Sequence, residues 1–189
     1  MVSIEAWNKK WPEEFQELKE IYLEHLKMDT ISIEHVGSTS VVGLPAKPCL
    51  DIDIIVEQES DIPKVIQKLS VLGYRHIGDL GIKGREAFKR ENDETPFSNQ
   101  KDKKWMRHNL YVGLKGIPSI ENHLLFRDFL RNNAEVRIAY GNLKEKLAIQ
   151  YQHDQPGYTE AKSDFILKVL SQLGFNDELL SDIREQNKA

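Results

Sequence analysis

The sequence is short of several things, and each shortage excludes something. Of its 189 residues one is cysteine, so an internal disulfide is excluded. Cys49 stands between Pro48 and Leu50 at the start of an apolar run, where a small buried side chain is the expectation and a catalytic thiol is not. No apolar run approaches the roughly 20 residues that cross a bilayer. Met1 to Trp11 mixes charge with tryptophan where a signal peptide is uninterruptedly apolar. The chain is therefore read as cytoplasmic, with no membrane partner. Positive charge is in deficit: 26 Lys and Arg against 30 Asp and Glu give a net charge of −4. Affinity for a nucleic-acid backbone comes mostly from clustered Lys and Arg, so no nucleic-acid partner is expected, while a small nucleotide stays open. Internal repeats and low-complexity tracts are missing too, which leaves one domain over 1–189 as the expectation.

What is present alternates between periods of 3.6 and 2. Phe15, Leu18, Tyr22 and Leu26 recur three or four apart behind Pro12 and predict an amphipathic helix. Ile31 to Val36 reads as a strand ending in Gly37-Ser38-Thr39-Ser40. In Cys49 to Val56, Leu50, Ile52 and Ile54 share one strand face and Asp51 and Asp53 the other. Ile62, Val65, Ile66 and Leu69 predict a helix stopped by Gly73; Tyr74 to Ile77, Arg85 to Arg90 and Arg107 to Leu114 predict three more strands. The polar stretch Glu91 to Lys104 reads as a mobile surface loop. Ser119 is the expected N-cap of a helix through Phe129; helices follow around Tyr140 and Leu147 and around Phe165 and Val169, with a short fourth from Asp177. The predicted architecture is α/β (α+β): a mixed β-sheet over about 28–116, flanked by helices, with a helical C-terminal layer over about 117–189. Trp7, Trp11 and Trp105 are read as packing residues.

Asp51 and Asp53 form the constellation with chemistry in it. Two carboxylates on one strand face have the form of a Mg²⁺ site, which uses one or two carboxylates together with substrate oxygens. The Gly37-Ser38 turn upstream permits close backbone approach to phosphate oxygens, and Ser38 and Ser40 add hydroxyls. Each piece has a plain alternative, a half-exposed strand for the acids and an ordinary turn for the serines; the combination is the more specific signal.

Strand, Gly-Ser, then Asp51-Ile52-Asp53 resembles the signature of the DNA polymerase beta-like nucleotidyltransferase superfamily. Ile33-Glu34-His35-Val36-Gly37-Ser38-Thr39-Ser40, Gly43-Leu44-Pro45-Ala46-Lys47-Pro48 and Asp51-Ile52-Asp53-Ile54 resemble the opening block of the GrpB family. Gly73-Tyr74, Gly81-Ile82-Lys83-Gly84-Arg85, Arg107-His108-Asn109-Leu110, Phe126-Arg127-Asp128 and Tyr158 with Lys162 resemble its later blocks. The resemblance implies a nucleotidyltransferase-like fold with Mg²⁺ or Mn²⁺ on Asp51 and Asp53, the catalytic pair. It implies a nucleotide or coenzyme partner, since some relatives are fused to dephospho-CoA kinase. It does not supply a reaction. The implied activity is metal-dependent nucleotidyl or phosphoryl transfer; the alternatives are a non-catalytic nucleotide- or coenzyme-binding module and, third, an interaction domain. One departure bears on this choice: two-metal members of the superfamily place a third carboxylate on a later strand, and the strand from Arg107 offers His108 and Asn109 there. His108 is the residue favoured for metal or substrate contact.

The remaining candidates are cations. Lys47, between the Gly-Ser turn and the acidic pair, is placed to meet a phosphate or else is a solvated loop lysine. Arg85 suits bidentate phosphate binding or a surface ion pair. Lys162, one helical turn from Tyr158, faces the cleft or completes a packed and solvated surface. His35 reads as a phosphate donor, a base near neutral pH or a loop-bonding histidine, and Arg127 with Asp128 as a local charge pair or a helix-to-sheet tether.

Overall fold

The computed structural model describes residues 1–100 and 102–186. Along them run α1 (Lys10–Leu26), β1 (Ile31–Val36), β2 (Leu50–Val56), α2 (Ile62–Val71), β3 (Tyr74–His76), β4 (Arg85–Arg90), β5 (His108–Leu114), α3 (Pro118–Asn132), α4 (Ala134–Gln150), α5 (Gln155–Ala161), α6 (Ser163–Gln172) and α7 (Asp177–Gln186). The strands form one sheet in the order β1-β2-β5-β4-β3. Its central pair, β2 and β5, is parallel, and the other pairings are antiparallel. This is the mixed, helix-flanked sheet that the alternation of periods predicts.

The period of two decides how the sheet is covered. Leu50, Ile52, Ile54 and Val56 are fully buried. They pack with Leu18, Tyr22 and Leu26 of α1, with Val65 and Leu69 of α2, and with Leu110 and Val112 of β5. Each such side chain contributes about 1.5–3 kcal/mol on burial, enough to fix which face of β2 turns inward. The other face, carrying Asp51 and Asp53, is left for α3. Gly113 lets that helix close: a Cβ there would lie 2.7 Å from Ile120 Cγ1. Beyond α3, a smaller cluster of Val41, Leu44, Leu130 and Tyr140 joins the C-terminal helices to the loop after β1.

Three local expectations change. Pro118, which brings no N–H, takes the first turn of α3 with Ile117 as the cap residue, so Ser119 sits inside the helix and is not its N-cap. The stretch from Glu91 to Lys104 holds no helix or strand among its described residues, Lys101 lying outside them, yet it is anchored. Trp105 is buried and donates Nε1–H to Pro96 O at 2.9 Å, Phe97 N–H bonds Leu72 O at 2.9 Å, and Lys103 pairs with Glu17 at 2.7 Å. The short helix α5 had no periodic signal of its own. The tail from Asp177 is helical through Gln186, with 187–189 outside the described residues. Among the described residues no helix is long and apolar enough to cross a membrane.

Candidate active site

In the β2–β5 register Asp51 stands opposite Asn109 and Asp53 opposite Tyr111. Asn109 Nδ2 donates to Asp51 Oδ1 at 2.8 Å. Burial pushes the half-buried Asp51 carboxyl above its ordinary range, and the Asn109 bond offsets only part of that. Asp53 is fully buried, with one oxygen, Oδ2, 2.7 Å from His123 Nδ1 of α3. Its other oxygen, Oδ1, is buried without a hydrogen-bond partner. Burial disfavours the His123 imidazolium, but the Asp53 charge and hydrogen bond outweigh it and raise the pKa. The pair is thus asymmetric: Asp51 is half-buried and bonded to Asn109, whereas Asp53 is enclosed with His123 against it.

The Gly37-Ser38 turn is built against Asp51, because Val36 is the β1 residue that pairs with it. Gly37 has φ 67°, and a Cβ there would lie 2.2 Å from Asp51 Oδ2; only glycine fits both the conformation and the approach. Ser38 is half-buried and meets the Tyr140 hydroxyl. Ser40 differs from its expected role as a phosphate donor. Its Oγ donates to Gly37 O at 2.6 Å and its carbonyl accepts from Arg131 at 2.9 Å, so it braces the turn. His35 is structural as well: Nε2 bonds Thr39 Oγ1 at 2.9 Å, the ring stacks on Phe15, and burial with the Arg131 and Arg127 charges holds its pKa down to about 3. Arg127 is both local pair and tether, bonding Asp128 Oδ1 at 2.7 Å, Glu34 Oε2 at 2.7 Å and His35 O at 3.2 Å.

Cations from three directions face the acids. Lys162 lies 4.3 Å over the Tyr158 ring; burial lowers its pKa to about 8 against the pull of Asp51. Lys47 donates to Gln155 Oε1 at 2.8 Å, and burial followed by the Arg107 charge lowers its pKa while Asp51 opposes. Arg85 stacks over Tyr111 at 4.4 Å, in the field of Asp53, with Nε buried and unpartnered; it is not the surface ion pair that was its alternative.

His108 is the residue the sheet sends elsewhere. Its register partner is Leu50, on the apolar face. Nδ1 bonds the Met106 carbonyl at 2.8 Å, which makes Nδ1 the donor and leaves Nε2 to accept from Tyr74 at 2.5 Å; Tyr22 completes the chain 2.6 Å from Tyr74. Burial and the Arg90 charge hold His108 down to about 4. It contacts neither acid. His123, Tyr111 and Lys144 are the neighbours that sequence reasoning missed. Lys144 is almost fully buried on the Pro45 carbonyl, and burial followed by the Lys162 charge lowers its pKa to about 7. A signal for His123 existed: Ile120, His123, Arg127 and Leu130 form one stripe at helical spacing.

A family model described as GrpB protein matches residues 1–172. The UPF0157 protein YqkA of Bacillus subtilis is 33% identical over 165 residues, covering 87% of this chain and 45% of its own length, so this chain spans less than half of that relative. The crystal structure of the conserved protein GrpB from Enterococcus faecalis superposes with a TM-score of 0.73 at 27% identity, over 96% of this chain and 99% of that one. The Cid1 poly(U) polymerase with MgGTP bound superposes with a TM-score of 0.52 at 16% identity, over 81% of this chain and 46% of that one. That likeness is one of fold, and the fold is nucleotidyltransferase-like. Matched over residues 1–172 by the family model and over 96% of its length by a solved GrpB structure, the chain belongs to the GrpB family.

Proposed function

We propose that the protein carries out metal-dependent nucleotidyl or phosphoryl transfer at the face of β2 and β5. The observation that carries this reading is the Asp53 Oδ1 atom, a buried carboxylate oxygen with no donor, on the same strand face as Asp51 and beside a glycine turn closed to any larger residue. Hard oxygen ligands of this kind fit Mg²⁺ or Mn²⁺, with substrate oxygens completing the shell. Asp51 and Asp53 would hold the ion. Bound there, it supplies neutralisation of phosphate charge. Gly37 and Ser38 orient the phosphates through backbone N–H and hydroxyl, while Lys47, Lys162 and Arg85 supply positive charge from both flanks. Asn109 and His123 fix the two carboxylates by hydrogen bonds. MgGTP in the Cid1 structure supports a magnesium nucleotide as the ligand class.

A second reading, a nucleotide- or coenzyme-binding module without turnover, is favoured by the neighbours of the pair. Asn109 and Tyr111 stand where an adjacent strand would add an acid, and among the described residues no group of three or more His, Cys, Asp or Glu side chains is placed to hold a metal ion. Thermal shift with nucleotides and dephospho-CoA, each with and without Mg²⁺ or Mn²⁺, separates the two, because a ligand specific for the folded state raises its apparent stability. Stabilisation that needs metal and disappears in Asp51→Asn and Asp53→Asn is the expected result for transfer. Metal-independent stabilisation that survives in both variants selects the binding module, and no response to any of these ligands overturns both.

A further inference from the structure

At the opposite end of the β2–β5 pair from Asp51 lies a cavity of about 390 Å³ that the proposed reaction does not use. Its walls are Ile62, Ile82, Leu114, Ile117, Leu179 and Ile183, brought from α2, the connection before β4, the β5–α3 junction and α7. The volume falls in the range of about 300–1,000 Å³ usual for small-molecule sites, which are mostly apolar with a few placed polar groups. Here the placed group is Ser119. It lines the cavity, is 8% exposed, and its Oγ is buried without a partner. The neighbouring N–H groups of Ile120 and Glu121 close on Ile117 O, and the Ser119 hydroxyl is a buried donor at this end of α3 that lacks an acceptor. Buried hydroxyls are normally satisfied, and an unmet one marks a place for something else.

We propose that this cavity binds a small apolar molecule carrying one neutral carbonyl oxygen, which accepts from Ser119 Oγ once rotation about the serine Cα–Cβ bond brings the buried hydroxyl to the cavity wall, while the apolar body lies between α7 and the Ile82–Gly84 connection. The rim selects against a charged head: exposed Glu59 and Asp182 outnumber exposed Lys83, leaving a surplus negative charge that repels a carboxylate. One lining residue adjoins in sequence a cation of the candidate active site. Gly84 lines the cavity, and the next residue is Arg85, whose guanidinium stacks over Tyr111. The proposal stands on the cavity and the serine alone and does not require the transfer reaction.

The test uses the full chain, with octanamide as probe and octanoate as its charged counterpart, followed by amide chemical shifts in two-dimensional NMR. Saturable octanamide binding is expected, tighter than that of octanoate, with shifts confined to Ile82–Gly84, Ile117–Glu121 and Leu179–Ile183. Ser119→Ala removes a hydrogen bond between neutral groups and weakens octanamide about fivefold, while raising the melting temperature of the free protein because the orphan hydroxyl is gone. A hydroxyl with a merely structural role predicts the opposite change in melting temperature and no change in affinity. Leu179→Trp, at the half-buried rim, fills the entrance and abolishes binding. Absence of saturable binding, shifts centred elsewhere, or affinity unaltered in Ser119→Ala overturns the proposal, and this last readout stands even if Leu179→Trp does not fold.

Discussion

The two faces of the central sheet handle buried ionisable groups in opposite ways. On the α1–α2 face, Tyr22, Tyr74 and His108 form a closed chain that ends on the Met106 carbonyl, and Arg90 donates to the same carbonyl at 2.7 Å. On the α3 face, Asp53 Oδ1 and Arg85 Nε are buried without partners, and Lys162 and Lys144 have pKa values lowered to about 8 and about 7. A closed network serves the fold, because each member satisfies the next. Unmet groups of opposite sign gathered on one face cost stability, which is the pattern expected of a functional site.

That comparison is open to breakage, and the largest effect is expected from the apolar face. Ile52→Ala, at a fully buried position, should lower unfolding free energy by about 3–4 kcal/mol in urea titrations, while metal-dependent nucleotide stabilisation remains measurable in the folded fraction. Tyr74→Phe opens the closed chain and leaves His108 Nε2 without its donor; a loss of about 1–3 kcal/mol follows, again without a change in ligand response.

On the acidic face the sign reverses. Asp51→Asn keeps an acceptor for Asn109 and removes a carboxylate whose pKa is raised by burial, so the ligand-free protein should gain about 1 kcal/mol at pH 7.5 while losing its response to metal and nucleotide. Because a raised carboxyl pKa penalises the ionised form, the gain is full above the folded pKa and vanishes as pH falls below the unfolded value. The effect that depends most on pH belongs to the lysines. With pKa values lowered to about 7 in Lys144 and about 8 in Lys162, the folded chain binds fewer protons than the unfolded one up to about pH 10.4. Stability relative to the Lys144→Met, Lys162→Met double variant should therefore rise with pH from about 7, by at most about 1.4 kcal/mol per pH unit for each group. Nucleotide affinity should fall as pH passes about 8 and Lys162 loses its charge.

The central strands were legible because their signal is local: alternation of Leu50, Ile52 and Ile54 with Asp51 and Asp53 fixes both faces whatever lies outside. Gly37 was legible for the same reason, as a strand exit that permits close approach, although the group that approaches is Asp51. The choice between His108 and Asn109 was not, since it depends on which face of β5 matches which face of β2, and a slip of one residue exchanges them. His123 and Lys144 are brought in by helices from distant sequence, and Arg85 differs from an ordinary surface arginine only through the Tyr111 ring beneath it. Ser119 misled because its residue type suits a cap, whereas Pro118 ahead of it had already started the helix.

The claim that the β2–β5 face holds a metal–nucleotide site is tested most directly by Mn²⁺ titration of the isotopically labelled protein in the presence of a nucleoside triphosphate, read as paramagnetic broadening of amide signals. Broadening should centre on Gly37, Ser38, Asp51, Asp53, Asn109 and Tyr111, leave Leu18, Tyr22 and Tyr74 sharp, and vanish in Asp51→Asn. Broadening centred anywhere else, or unchanged in that variant, contradicts the account.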